Sequence, residues 1–148
     1  ALREAEFVRK GVMHRNLFVC APKVLDPYLR FNGREALFIA GQASGVEGYM
    51  ESTAMGLAAA LFAYLQVSGL PMADFPLETA VGSLLNYLRG ALPESFQPMN
   101  VNLGIFPRLP GKKIRRRTER CEAYAARSLE ALEKFIGENK ILFPNKQL

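Results

Sequence analysis

The chain has 148 residues and a mass of 16.5 kDa, with 49% hydrophobic and 22% charged residues. These values match globular proteins and exclude a disordered or fibrous chain, and the length suits one domain or parts of two. The net charge of +5 and the pI near 9.4 favour a polyanionic partner only where the positive charge is clustered.

The cellular environment is indicated by the cysteines and by the hydropathy pattern. The sequence contains two cysteines, Cys20 and Cys121, so a disulfide framework is not indicated and a reducing cytoplasm is expected. We find no signal-peptide pattern, and the apolar part of the longest uncharged stretch, residues 54–65, is too short to cross a bilayer. No membrane partner is expected. Because Ala1 stands within a predicted strand, we expect the chain to be part of a longer protein.

The first half of the chain predicts strands. Residues 5–20 place extended apolar residues around Gly11 and indicate two short strands that end at Pro22. Residues 36–40 form a continuous apolar run bounded by Gly41, which is typical of a strand buried on both faces.

Three helices are predicted after this run. The first covers about Met50–Val67, with Gly69 at its C-terminal end, and the second covers about Pro76–Arg89 with Gly90 just past its end. Four prolines in residues 92–110 indicate an irregular connection, and a last helix covers about Lys113–Gly137.

A glycine-rich loop, residues 41–49, joins the predicted buried strand to the first long helix. Glycines at positions 41, 45 and 48 permit positive φ angles and the close approach of a ligand. The first N–H groups of the helix are unpaired donors at the positive end of its dipole, which suits an anion or an electron-rich carbonyl. Turns of this kind also occur without a ligand, so the loop by itself leaves both interpretations open.

The residues of several segments resemble those of a known family. The segments are Leu37–Gln42, Gly45–Ser52, Gly56–Ala59, Gly11–Asn16 and Phe96–Asn102, together with the basic closing helix. They resemble the C-terminal part of the folate- and FAD-dependent tRNA (uracil-5)-methyltransferases and, less closely, relatives that modify the wobble uridine of tRNA.

The resemblance implies a fold and a reaction. The fold would be α/β, the C-terminal part of a glutathione-reductase-like FAD-binding domain with short strands and three main helices. Residues 1–22 would end an inserted domain and its return strands, and residues 23–148 would belong to the FAD-binding domain. The family transfers a one-carbon unit from methylenetetrahydrofolate to C5 of the T-loop uridine of tRNA, with reduced FAD supplying electrons and NAD(P)H as reductant.

Two parts of such an enzyme do not occur in this sequence. The Gly-x-Gly-x-x-Gly turn that holds the FAD pyrophosphate is absent, and the family's nucleophilic cysteines would lie upstream. Cys20 and Cys121 match no family catalytic position, so both are expected to be structural and no catalytic residue is assigned. The fragment alone is therefore expected to be inactive and to need the N-terminal part of the same protein.

The resemblance also implies contacts with two small molecules. FAD would contact the loop residues Gly41, Gln42, Gly45, Val46, Glu47, Gly48 and Tyr49. Folate would contact His14, Arg15 and Asn16, with the His14 imidazole stacked on the pterin. Read alone, His14 also fits a solvent-facing or hydrogen-bonded histidine, and no metal site is expected because no second histidine is present.

Other polar residues have structural interpretations. Asn100 and Asn102 are expected to hold irregular backbone in place, and Glu47 and Glu51 could act as capping carboxylates at the helix start.

The last helix predicts a nucleic-acid surface. One stripe is expected to pack on the body of the protein and consists of Ile114, Cys121, Ala125, Ser128, Leu132 and Phe135. Lys113, Arg116, Arg120 and Arg127 would then form one exposed basic row that contacts tRNA phosphates. The alternative is a solvated charge run.

Two other functions remain open at this point. One is the related wobble-uridine flavoprotein, and the other is a non-enzymatic basic RNA-binding module without flavin. The loop Gly45–Tyr49 favours the methyltransferase over the wobble-uridine protein.

Overall fold

A computed structural model describes residues 17–111, 114–140 and 142. In chain order its elements are helix α1 (Ala21–Val24), strand β1 (Arg30–Phe31), strand β2 (Arg34–Phe38), a 3₁₀ turn (Gly41–Ser44), helix α2 (Tyr49–Val67), helix α3 (Ala80–Gly90), a second 3₁₀ turn (Pro93–Ser95) and helix α4 (Arg117–Glu138). The predicted mixed α/β composition with three main helices is confirmed. The predicted folate residues His14, Arg15 and Asn16, and the predicted RNA contact Lys113, lie outside the described residues.

The two strands form a small antiparallel hairpin. Arg30 pairs with Phe38 and Phe31 with Arg34, with an irregularity between the two pairs. The strand predicted at residues 36–40 is therefore found at 34–38, and its predicted burial on both faces is wrong. Leu37 is 42% exposed because, among the described residues, a single two-residue strand is the only strand paired with it. A run of apolar residues does not itself specify which neighbours cover it.

Helix α2 forms the centre of the core. Its buried face consists of Met55, Ala58, Ala59, Phe62 and Leu65. The helix ends in a Schellman arrangement, in which Leu70 N donates to Leu65 O (2.9 Å) and Gly69 N donates to Gln66 O (3.1 Å). Gly69 has a φ of 65°, so the predicted glycine C-terminal signal is confirmed.

Helix α3 starts later than predicted. Thr79 caps it by accepting a hydrogen bond from Gly82 N (3.0 Å), so the helix starts at Ala80 and not near Pro76. Gly90, predicted to lie past the helix, is its last residue, and Ala91 is the C-cap. The helix still contributes Leu84, Leu85 and Leu88 to the core.

A chain of aromatic rings links Tyr28, which lies just before β1, to the last helix. Phe62 makes edge contacts with Tyr28 and Phe75, with ring centroids 5.3 and 5.9 Å apart. Phe75 in turn stacks on Phe135 of α4 at 4.9 Å. These contacts dock the C-terminal half of α4, where Phe135 and Ile136 are buried.

The predicted packing stripe of α4 is wrong in its first half. The helix starts at Arg117, four residues later than expected, and both Cys121 and Ala125 are exposed. The partly covered face instead includes Tyr124, whose ring packs on Phe106 with centroids 5.7 Å apart, and Arg127. A helical wheel assigns arginine to the solvent side, but its long apolar stem can cover the protein body.

None of the described helices is long and apolar enough to cross a membrane.

Candidate functional site

The glycine loop between β2 and α2 takes the backbone conformation that the sequence predicts. Gly41, Gly45 and Gly48 have φ angles of 60°, 89° and 93°. Within the turn, Gly45 N donates to Gln42 O (3.0 Å) and Val46 N donates to Gly41 O (3.1 Å). These bonds bring the chain sharply from the hairpin to the start of α2.

A second segment of backbone is hydrogen-bonded to this loop. Met99 N donates to Gly45 O and Glu47 N donates to Met99 O, each at 3.0 Å, which gives an isolated parallel bridge between Val46 and Met99. The segment predicted to be irregular and the glycine loop therefore lie side by side, and together they form two walls of one site.

An open cleft of about 370 Å³ lies where the loop meets α2. Its lining residues are Gln42, Val46, Glu47, Gly48, Tyr49, Ser52 and Asn100. Its volume is within the usual range for small-molecule sites. The structure thus brings together five of the seven loop residues singled out from the sequence, while Gly41 and Gly45 are buried behind the cleft.

Sequence reasoning did not assign two of the lining residues to the site. Asn102 does hold irregular backbone, because its Oδ1 accepts from Gly104 N (2.9 Å) and its Nδ2 donates to Asn100 O (3.0 Å). Asn100, given the same role, instead lines the cleft. Ser52 could have been found from its position in the first turn of α2, next to the loop.

The charges around the cleft favour one class of ligand. The first N–H groups of α2 have no acceptor within the helix, and Gly48 places no side chain over them. The Glu51 carboxylate folds back beside Gly48, and its Oε1 accepts from Val101 N (3.4 Å), while Glu47 is exposed on the rim. Two carboxylates next to these donors oppose a multiply charged phosphate, so an electron-rich carbonyl suits the cleft better.

The predicted basic row is not continuous in the structure. Arg116 is exposed and pairs weakly with Glu119 at 3.3 Å, whereas Arg120 is half-buried. Arg127 donates from Nη2 to Pro107 O (2.6 Å) and from Nη1 to Arg108 O (3.0 Å), with its guanidinium 5.0 Å from the centre of the Tyr124 ring. Arg127 is therefore engaged within the protein, and the prediction that it faces solvent in one row with Arg116 is wrong.

Exposed arginines are instead concentrated just before and at the start of α4. Arg115, Arg116 and Arg117 follow one another there and are all exposed. Arg108, which precedes them in the chain, is also exposed, and its backbone carbonyl accepts a hydrogen bond from Arg127.

The two cysteines occupy different environments. Cys20 is half-buried and its Sγ donates to Pro93 O at 3.7 Å, and Cys121 is exposed on α4. Neither lines the cleft, and their structural role stays a prediction.

Residues 1–71 match the family model described as glucose inhibited division protein A. Over 137 residues, 93% of its length, the chain is 56% identical to the methylenetetrahydrofolate–tRNA-(uracil-5-)-methyltransferase of Desulforudis audaxviator. The enzymes with the same name from Listeria welshimeri and Anoxybacillus flavithermus are 52% and 47% identical over 90% and 91% of the chain.

Over nine tenths or more of its length, the chain is similar to these methyltransferases. The resemblance predicted from the sequence segments is thereby confirmed. The aligned part makes up only 30–31% of each of these three relatives, so the chain spans about a third of their length.

Proposed function

We propose that these residues form part of a tRNA (uracil-5)-methyltransferase, which transfers a one-carbon unit from methylenetetrahydrofolate to C5 of the T-loop uridine. The observation that carries the proposal is the 47–56% identity to methyltransferases over at least nine tenths of the chain. The activity belongs to the longer protein, and the 148 residues alone are expected to be inactive.

The cleft between the glycine loop and α2 is the proposed contact with FAD. The residues present fit a flavin ring system: Gly48 leaves the helix start uncovered, and a carbonyl of the ring would meet the unpaired N–H groups there. When bound, FAD would supply the electrons that the one-carbon transfer requires.

The side chains of this chain would bind and orient the ring. Gln42 and Asn100 carry carboxamides on the rim of the cleft, and a carboxamide can both donate to and accept from a ring edge that alternates N–H and C=O groups. Tyr49 is 96% exposed beside them and offers a flat aromatic surface. Val46, Glu47 and Gly48 complete the proposed FAD contacts in the cleft, and Gly41 and Gly45, predicted as contacts from the sequence, would act by shaping the loop from behind it.

Folate is proposed to bind through His14, Arg15 and Asn16, which lie outside the described residues. NAD(P)H is the proposed reductant, and the cytoplasm the proposed location. Residues 1–22 are proposed to end an inserted domain, and residues 23–148 to belong to a glutathione-reductase-like FAD-binding domain.

The tRNA is proposed to contact the arginines before and at the start of α4. Arg115, Arg116 and Arg117 are exposed, and Arg116 has only a weak surface pair with Glu119. Positive charge at a helix start is opposed by the helix dipole, so helix stability does not explain the cluster. Phosphate contact supplies a reason for it. Of the other predicted contacts, Arg120 is half-buried, Lys113 lies outside the described residues, and Arg127 is already engaged.

The direct test is methylation of a defined uridine. The full-length protein is incubated with methylenetetrahydrofolate, NADPH and an unmodified tRNA transcript, and the nucleosides are measured by mass spectrometry. One C5-methylated uridine per tRNA is expected, and none in a matched transcript whose T-loop uridine is replaced by cytidine. A flavin-loaded protein that binds the tRNA and leaves its uridine unmethylated contradicts the proposal.

The related wobble-uridine flavoprotein is the second candidate. Residues 1–71 match the family described as glucose inhibited division protein A, whose description names neither activity, so this match does not distinguish the two candidates. The same mass-spectrometric experiment separates the two, because a wobble-uridine enzyme would leave the T-loop unchanged and modify the anticodon. A basic RNA-binding module without flavin would show no flavin absorbance in the full-length protein.

A further inference from the structure

The carboxylate of Glu51 lies beside the cleft and contacts both of its walls. Glu51 stands in the first turn of α2. Its side chain folds back against Gly48, which lines the cleft, and its Oε1 accepts a hydrogen bond from Val101 N at 3.4 Å. Val101 directly follows Asn100, which lines the cleft from the other segment. One side chain that does not itself line the cleft thus joins the helix start to the second wall.

The hydrogen bond from Val101 takes the place of a bond that the parallel bridge lacks. In a regular parallel ladder, the N–H two residues after Met99 would donate to the next carbonyl along the loop. The loop backbone turns away at Gly48, whose φ is 93°, and Val101 N donates to the Glu51 carboxylate instead. The bridge at Met99 and the bond at Val101 therefore hold the backbone on both sides of Asn100.

The same carboxylate brings a negative charge to the positive end of α2. Glu51 is partly buried, and among the described residues no cation forms an ion pair with it. Its charge therefore offsets the partial positive charge of the unpaired N–H groups at the helix start. Because the carboxylate is partly buried, salt and water screen this charge less than they would screen a fully exposed one.

Charge at this helix start matters when a bound ring is reduced. A hydride from NAD(P)H carries two electrons and one proton, so the ring gains one negative charge and the nicotinamide becomes a cation. The carbonyl edge of the ring carries part of that charge, and this is the edge that the start of α2 is proposed to meet. The positive helix end favours the reduced ring, and a carboxylate beside it has the opposite effect.

We propose that Glu51 is a positioning residue of the cleft, whose carboxylate fixes the wall at Val101 and whose charge lowers the reduction potential of the flavin bound there. The proposal deepens the proposed function, because it rests on FAD occupying this cleft. Glu51 acts on the ring through Val101 and the helix start, and not by contact. The alternative is a capping carboxylate that only stabilises α2, whose removal would lower stability and leave the potential unchanged.

The experiment separates the charge of Glu51 from its hydrogen bond in the full-length protein. Glu51→Gln removes the charge but keeps an oxygen that can accept from Val101 N, whereas Glu51→Asp keeps the charge on a side chain too short for that bond. Glu119→Gln is the matched control, because Glu119 likewise stands in the first turn of a helix, α4. The flavin potential is measured by anaerobic titration against a reference dye, and the hydrogen exchange of residues 96–102 by mass spectrometry.

Glu51→Gln should shift the flavin potential to a more positive value. At the potential where the parent's flavin is half reduced, the ratio of reduced to oxidised flavin should be at least about threefold higher. The exchange of residues 96–102 should stay as in the parent. Glu51→Asp should give the reverse result, a potential near the parent's and faster exchange of this segment. Glu119→Gln should match the parent in both measurements.

A flavin-loaded Glu51→Gln protein with the parent's potential overturns the proposal, and so does a Glu51→Asp protein whose potential shifts as far. Loss of flavin from Glu51→Gln also overturns it, because the amide can still hold Val101. If Glu51→Gln fails to fold, the exchange of Glu51→Asp still decides, since exchange as slow as the parent's contradicts the role of the hydrogen bond. Failure of the proposed function is distinguishable, because the parent itself would then lack flavin or leave the tRNA unmethylated.

Discussion

The ring of Phe96 occupies the space that a side chain at position 45 would need. A β-carbon placed on Gly45 would lie 2.5 Å from Cζ and 2.9 Å from Cε1 of Phe96. Phe96 itself is 6% exposed and contacts the rings of Phe18 and Tyr87. The glycine loop and the segment that carries Asn100 are therefore locked together below the cleft as well as by their backbone hydrogen bonds.

Gly45→Ala is expected to destabilise the protein by about 2–4 kcal/mol, since it combines overpacking against Phe96 with a positive φ. Urea unfolding of the full-length protein measures the loss. Gly33→Ala is the matched control, because Gly33 has a φ of 78° and open space around it. The control should cost only about 1–2 kcal/mol of backbone strain. Equal losses for the two variants would show that Phe96 does not constrain the loop.

Arg127→Ala is expected to lower the free energy of unfolding by about 1.5–3 kcal/mol, because two backbone carbonyls lose a charged donor. Arg127→Lys should restore little, since an ammonium group cannot reproduce the forked geometry. Arg117→Ala, at an exposed position on the same helix, is the control and should change stability by less than about 0.5 kcal/mol. An Arg127→Ala variant as stable as the control would contradict this role.

The triple substitution Arg115→Ala, Arg116→Ala and Arg117→Ala should weaken tRNA binding by the full-length protein without loss of flavin. The dependence of log affinity on log salt should flatten by up to about one unit for each lost phosphate contact. Filter binding at several salt concentrations provides both quantities. Arg34→Ala, which removes an exposed arginine from β2, is the control and should leave both unchanged. A triple variant with the parent's affinity and slope would make the cluster a solvated charge run.

The loop and α2 could be predicted from the sequence because their signals are local. Positive φ at Gly41, Gly45 and Gly48, and the end of the helix at Gly69, follow from backbone conformations that glycine alone adopts easily. The remaining site residue Asn100 could not be found in this way. It reaches the cleft only because the backbone of Met99 pairs with Gly45 and Glu47, about 50 residues away in the chain.

The covered face of α4 was mispredicted for a related reason. Side-chain polarity predicts that Cys121 is covered and that Arg127 faces solvent. In the structure Cys121 is exposed, and Arg127 donates to the backbone carbonyls of Pro107 and Arg108. The exposure of β2 likewise depends on its partner strand and not on its own apolar run.

The 148-residue chain alone is expected to bind FAD weakly or not at all. Its cleft of about 370 Å³ can hold a ring system, but the sequence contains no Gly-x-Gly-x-x-Gly turn to hold the pyrophosphate. Equilibrium dialysis against FAD, with the full-length protein as reference, measures the difference. Purification of the 148-residue chain with one FAD per molecule would contradict the proposed division of the site.

The flavin content of full-length Gly48→Val tests the central claim most directly. Gly48 lines the cleft at a φ of 93°, and a β-carbon there would collide with the Glu51 carboxylate. A β-branched side chain should therefore disturb the helix start that faces the ligand. Gly33→Val is the control, because Gly33 also has a positive φ but is not among the residues that line the cleft. We predict that Gly48→Val purifies folded with little or no FAD while Gly33→Val retains it, and a Gly48→Val protein with the parent's flavin absorbance would contradict placing the flavin at this cleft.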